Sequence, residues 1–230
     1  MDEKEVIEKM KRILNNHAGC FLVFLILSNL VGHSGFAQDT SGGMDFKEKR
    51  EVVEKIKKGE VKLDKNEKKK MLRDILKNER DSVTRENALR ELAKTKDSDV
   101  LDELISNLKS EDEELILASL SSIVEYSTHT KARNAVLGVL SNKNEKIRWQ
   151  AVITCGEMKN PNCVDGLVKI INTEKNEQII RSAFDSLYKI RTTKAVNSLK
   201  TLLTSSKDEN IRNMASNVIK VIEVERKKKK

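Results

Sequence analysis

Cys155 and Cys163, eight residues apart, are the side chains of this sequence best spaced for covalent chemistry. Two thiols flanking the polar turn Asn160-Pro161-Asn162 can join as a disulfide in an oxidising compartment or persist as small buried thiols. The spacing leaves both outcomes open. A third cysteine, Cys20, lies far upstream in an apolar run. Beyond residue 37 the chain has one histidine, His129, inside the turn Ser127-Thr128-His129-Thr130. One imidazole with no glycine elbow around any serine makes no nucleophile–base–acid set, and no His/Cys/carboxylate group has metal-ligand spacing. Gly42-Gly43 lies in a linker and is no phosphate loop. The expectation is a protein that is not an enzyme and uses no cofactor or metal.

Polar side chains in a fixed register suggest recognition instead. Asp102, Asn134, Asp165 and Asn197 recur at intervals of 31 or 32 residues, each two positions before an apolar residue (Leu104, Val136, Leu167, Leu199). Such a row either satisfies backbone groups and neighbouring repeats or forms a polar rail for an extended peptide or partner helix. Trp149 is a second candidate contact. The partner expected is a protein or peptide, and the chain is expected to act as a monomer.

These side chains are carried by a repeat. Ala88, Ser119, Ala151, Ala183 and Ala215 are separated by 31, 32, 32 and 32 residues. Four positions before them stand Thr84, Leu115, Ile147, Ile179 and Ile211, and four after stand Leu92, Ile123, Cys155, Leu187 and Ile219. Seven before stand Asp81, Asp112, Asn144, Asn176 and Asp208, which read as helix N-caps. A period of this length marks stacked repeats. Positions −4, 0 and +4 share one helical face, and its small central residue admits a neighbouring helix. A second helix follows in each unit, with columns Leu104, Val136, Leu167, Leu199 and Leu108, Leu140, Ile171, Leu203. Short polar breaks between the two predict αα-hairpins. The same spacing reaches back to Leu72 and Leu76, on a helix beginning near Asp64, and an earlier helix carries Phe46, Val52, Val53 and Ile56. At the other end, a helix over about Glu209–Val224 has no second helix after it and serves as a cap.

The segments Asn144-Glu-Lys-Ile147-Arg148-Trp-Gln-Ala151 and Asp208-Glu-Asn-Ile211-Arg212-Asn-Met-Ala215 resemble the first helix of HEAT repeats, with Cys155-Gly156 at the Leu-Gly-like end. Asp81 to Ala88, with Arg85, is a weaker copy, and Ile116 and Ile180 replace the arginine in two units. The resemblance spans residues 45–224. It implies an all-α, armadillo-like fold, a right-handed α–α superhelix of about five short repeats with degenerate caps. It also implies that the second helices, with the Asp/Asn row, line an inner binding surface.

Residues 18–31 are almost wholly apolar, a length suited to a signal-peptide core, and Ala37 ends a small-residue cleavage pattern. Residues 1–37 are therefore expected to be a signal peptide, with Met10 as the better start, 38–44 a flexible linker, 45–224 the repeat array and 225–230 a disordered basic tail. The chain is expected to be periplasmic or secreted, the alternative being anchorage by residues 18–31. Its net charge is +8. The excess sits at the ends, with 14 basic against 9 acidic residues over 45–80 and a terminal run of Arg226 and Lys227, Lys228, Lys229 and Lys230. Residues 81–222 are nearly balanced, 21 against 20. Some HEAT-like proteins are DNA glycosylases, but a neutral middle and an export signal oppose nucleic acid as the partner. The leading expectation is an exported scaffold for a protein or peptide. The alternative is attraction of an anionic membrane surface or envelope polyanion to the basic ends.

Overall fold

The computed structural model describes residues 46–61, 63–78 and 80–228. The proposed leader, cleavage site and linker, and Lys229 and Lys230, lie outside them. The described residues form helices and no strand. They divide into two compact units at Thr95 and Lys96.

The first unit holds α1 (Phe46–Lys58), α2 (Lys65–Asn78) and α3 (Ser82–Ala93). Gly59, at a φ of 72°, ends α1 by donating its N–H to Ile56 while Glu60 donates to Lys55. This is the left-handed cap that glycine adopts without a steric cost. Asp64 is the N-cap of α2. It accepts from the N–H groups of Asn66 and Glu67, and Glu67 reaches back to accept from the Asp64 N–H, a reciprocal capping box. Both α1 and α2 pack on α3. Val52, Val53, Ile56, Met71, Leu72 and Ile75 are buried, as the apolar stripes require. The buried carboxylate Glu91 of α3 is held by Lys68 at 3.0 Å and by Lys94. Burial raises its pKa, but these two ammonium groups outweigh that and hold it below the usual carboxylate range.

The second unit is a double row. α4 (Ser98–Asn107), α6 (Thr130–Val139), α8 (Val164–Thr173) and α10 (Thr193–Ser205) make one row. α5 (Glu113–Ser122), α7 (Glu145–Glu157), α9 (Glu177–Ile190) and α11 (Glu209–Lys228) make the other. α5, α7, α9 and α11 pack in series, and each helix of the first row packs on the helix that follows it. Among the small-residue column, Ser119, Ala151, Ala183 and Ala215 are fully buried, as are Leu104, Val136, Leu167 and Leu199. Leu203 is an exception: it is half-buried, and Leu202 takes the core position.

The N-cap column performs as its residue types dictate. Asp112, Asn144, Asn176 and Asp208 each accept a backbone N–H from the first turn that follows. Asparagine adds a donor. Asn144 Nδ2 reaches Glu113 at 2.6 Å, and Asn176 Nδ2 reaches Glu145 at 2.6 Å, each one repeat back. Asp208 has no N–H to offer Glu177, and the rung stops there. Deeper in the same interface, Thr154 donates to the Leu120 carbonyl and Ser186 to the Val152 carbonyl, at 3.1 and 2.8 Å. Gly156 makes this closeness possible. A Cβ there would lie 2.9 Å from the Cα of Ser186, inside the contact limit, so a larger residue would drive α7 and α9 apart.

The arginine column also has a definite use. Arg148 Nη1 donates to the carbonyls of Asn142 and Lys143, and Arg212 Nη1 does the same for Ser206 and Lys207. Where Ile180 replaces arginine, Glu174 ties the turn by accepting from the N–H groups of Lys175 and Asn176.

The last helix corrects the expected boundary. α11 runs to Lys228, so residues 225–228 are helical and not part of a disordered tail. The cause is local. Glu225 accepts from the Tyr188 hydroxyl and from Arg191, each at 2.5 Å, and Arg226 donates to the Arg191 carbonyl at 3.0 Å.

Candidate functional site

Asp102, Asn134 and Asn197 are the fifth residues of α4, α6 and α10, Asp165 is the second of α8, and all four are exposed. None serves as an N-cap. Those places belong to Asp97, His129, Cys163 and Thr192. Nor do the four bond to one another across the stack. Lys131 Nζ lies 3.2 Å from Asp102, and Lys194 Nζ lies 2.6 Å from Asp165, each lysine coming from the next helix of the row. Exposed pairs of this kind contribute less than about 1 kcal/mol. The surface thus offers alternating carboxylate–ammonium pairs and side-chain amides, groups that can donate to and accept from an extended backbone.

Trp149 does not join this surface. It belongs to α7, is half-buried, and donates its indole N–H to Ser182 of α9 at 2.9 Å. His129 is exposed and sets its ring edge-on to Tyr126, with centroids 5.5 Å apart. Tyr126 is fully buried and donates to the Asp97 carbonyl at 2.9 Å. Burial, reinforced by nearby carboxylates led by Asp97, pushes its phenol up to about 12. This tyrosine is structural and keeps its proton.

Cys155, at the end of α7, and Cys163, which closes the 3₁₀ turn Pro161–Cys163, are joined as a disulfide with their Cα atoms 6.1 Å apart. Asn160 completes this corner. It is fully buried, donates to the Arg133 carbonyl at 3.0 Å and to the Cys163 sulfur at 3.2 Å, and accepts from the Asn162 N–H.

A cleft of about 590 Å³ between the C-terminal ends of α6 and α8 escaped the sequence reading. Leu137, Leu140, Gly166 and Ile170 line its apolar part, and Arg148 and Glu174 are paired at its base. Burial raises the Glu174 pKa, but hydrogen bonds from Arg148 and from the Lys175 and Asn176 amides overcome that and hold it low. Gly166 approaches Leu140 so closely that a Cβ would lie 2.7 Å from its Cδ1. The signal lay in a column of small residues, Ala135, Gly166 and Ser198, one place before the apolar column. Among the described residues no group of three or more His, Cys, Asp or Glu side chains is disposed to hold a metal. Nor is any described helix long and apolar enough to cross a membrane.

In class, then, the molecule is an α-helical repeat protein over its described residues. Comparison adds a likeness of family: residues 133–220 match the family model for HEAT repeats. Among solved structures, an engineered protein known from a crystal structure is similar at 16% identity, over 77% of this chain and 90% of that one, with a TM-score of 0.48. No curated protein matches. HEAT repeats act as protein-interaction scaffolds, their stacked helices supplying extended binding surfaces.

Proposed function

We propose that this chain is an exported, non-catalytic, monomeric scaffold that binds an extended segment of a partner protein along its first row of helices, through Asp102, Asn134, Asp165 and Asn197. The observation that carries this reading is that all four stay exposed at constant register while the caps and the inter-repeat ladders are built from other residues. A row that contributes little to the stack yet keeps its register suits a ligand. Neighbouring helices pack about 8–10 Å apart, so Asn134 and Asn197, two repeats apart, are separated by about 20 Å, the reach of roughly six residues of extended peptide. Export rests on the apolar leader and on the Cys155–Cys163 pairing, which suits an oxidising compartment.

The test is cross-linking and affinity capture from the native host, with wild type compared to Asp165→Ala/Asn197→Ala. The reading expects loss of the captured partner with a melting shift under about 2 °C, as for surface changes. A variant that still captures its partner, or that melts far lower, contradicts it. For export, N-terminal sequencing is expected to begin at Gln38, and titration of unfolded protein is expected to find no free thiol at Cys155 and Cys163. An intact leader or two reactive thiols would contradict that part.

A further inference from the structure

The outward face of α11 is where another repeat would stack. Three contacts between α7 and α9 define that direction: Trp149 to Ser182, Gly156 against Ser186, and Glu157 to Lys189 at 2.8 Å. Carried forward two repeats, the outward positions of α11 are Asn213, Lys220 and Val221, and Asn217, Val224, Lys227 and Lys228 continue the same face. All seven are exposed. Lys220 stands where Gly156 brings α9 close to α7, so the close backbone approach of that interface is not available on this face.

What the face does offer is an apolar pair set among cations. Val221 is 48% and Val224 is 51% exposed, and with Val83 of the first unit they are the exposed large apolar side chains of the described residues. Lys220, Lys227 and Lys228 surround the pair, and the sequence continues with two more lysines. Glu223 lies at the edge. Glu225 is turned inward to Tyr188 and Arg191, so it does not neutralise the face. The strap formed by Glu225 and Arg226 keeps α11 helical to Lys228 and fixes which side looks out.

We propose that this face of α11 docks on an anionic lipid bilayer, with Val221 and Val224 entering the headgroup boundary and Lys220, Lys227 and Lys228 engaging lipid phosphates. An interfacial helix binds through shallow apolar burial combined with attraction to anionic lipid. Each lysine near such a surface strengthens binding about fivefold. This function is separate from the peptide surface on α4, α6, α8 and α10.

The test uses the full chain with vesicles of phosphatidylcholine alone or mixed with phosphatidylglycerol. The apolar run 18–31 is common to every variant and contributes equally to each. Wild type is expected to bind the anionic vesicles at least about tenfold more tightly than the neutral ones and to lose that preference in about 1 M salt. Lys227→Gln/Lys228→Gln is expected to weaken anionic binding roughly 20-fold. Val221→Ser/Val224→Ser is expected to weaken it several-fold while leaving the salt dependence in place. Both variants are expected to melt within about 2 °C of wild type, since the substituted residues are exposed. Equal binding to both vesicle types, or binding unchanged by either variant, overturns the proposal. Self-association abolished by the valine changes, with vesicle binding untouched, would also overturn it by assigning the face to a second copy.

Discussion

Helix α9 has two neighbours in its row, and it is held to them in different ways. Toward α7 the contact is close and deep. Gly156 removes a side chain, Ser186 donates to the Val152 carbonyl, Trp149 reaches Ser182, and Asn176 bridges to Glu145. Toward α11 the equivalent positions hold Val218 instead of a hydroxyl and Asp208 instead of an amide, so neither rung forms. The connection there is a polar strap near the far end of the helix: Tyr188 and Arg191 on Glu225, and Arg226 on the Arg191 carbonyl. The lesson is that one period can carry two kinds of interface. Interior repeats exclude water and bring backbones together. The terminal helix contributes its apolar stripe and is then fastened from outside.

The largest test of this contrast is at Gly156. Gly156→Ala is expected to cost about 3 kcal/mol, because the added Cβ meets the backbone of Ser186 and not merely a flexible side-chain tip. Lys220→Ala, two repeats on, is expected to leave thermal stability unchanged within about 0.5 kcal/mol. Chemical denaturation of the two variants would break the comparison if their midpoints moved equally. Next in size, Ser186→Ala leaves the hydroxyl's place against the Val152 carbonyl empty in a buried site and is expected to cost about 1.5 kcal/mol.

The cap column sharpens the comparison in both directions. Asn176→Asp removes the donor to Glu145 and sets two carboxylates together, a loss of about 1 kcal/mol. Asp208→Asn supplies the missing donor opposite Glu177 and is expected to raise stability by about 0.5 kcal/mol. Opposite signs in melting temperature are the expected result, and a loss in both would contradict the ladder. A smaller effect is pH-dependent. Glu174 has a folded pKa below its ordinary 4.5, so its contribution is present at neutral pH and is lost as pH falls below that value toward the folded pKa. Glu174→Gln is expected to flatten this acid limb in denaturation curves recorded from pH 6 downward. An unchanged limb would show that Arg148 does not hold it.

Much of this was legible in the residue columns. Asp112, Asn144, Asn176 and Asp208 announced their caps, because a short side-chain acceptor before an apolar stripe has one economical use. Ala151 and Ala183 announced close packing for a similarly local reason. The cross-repeat contacts were harder. The Asn–Glu rungs join residues 31 apart, whereas the hydroxyl–carbonyl rungs join residues 34 apart. These offsets straddle the period and depend on how far one helix slides along the next, which no single column records. Trp149 read as a candidate contact for the same reason, since its partner Ser182 lies 33 residues on. The end of α11 was misplaced because a run of lysines resembles a solvated tail until Tyr188 and Arg191 are seen to hold Glu225. The exposed Asp/Asn row was legible as a row, and its independence from the caps emerged only with the geometry.

Amide hydrogen exchange of the native protein tests the central account most directly, because local opening reports how each helix is held. Peptides covering residues 147–156 and 179–187 are expected to be the slowest and to open together, while those covering 211–228 exchange at least about tenfold faster. Protection in α11 equal to that in α7 and α9, or α7 and α9 opening independently of each other, would contradict it.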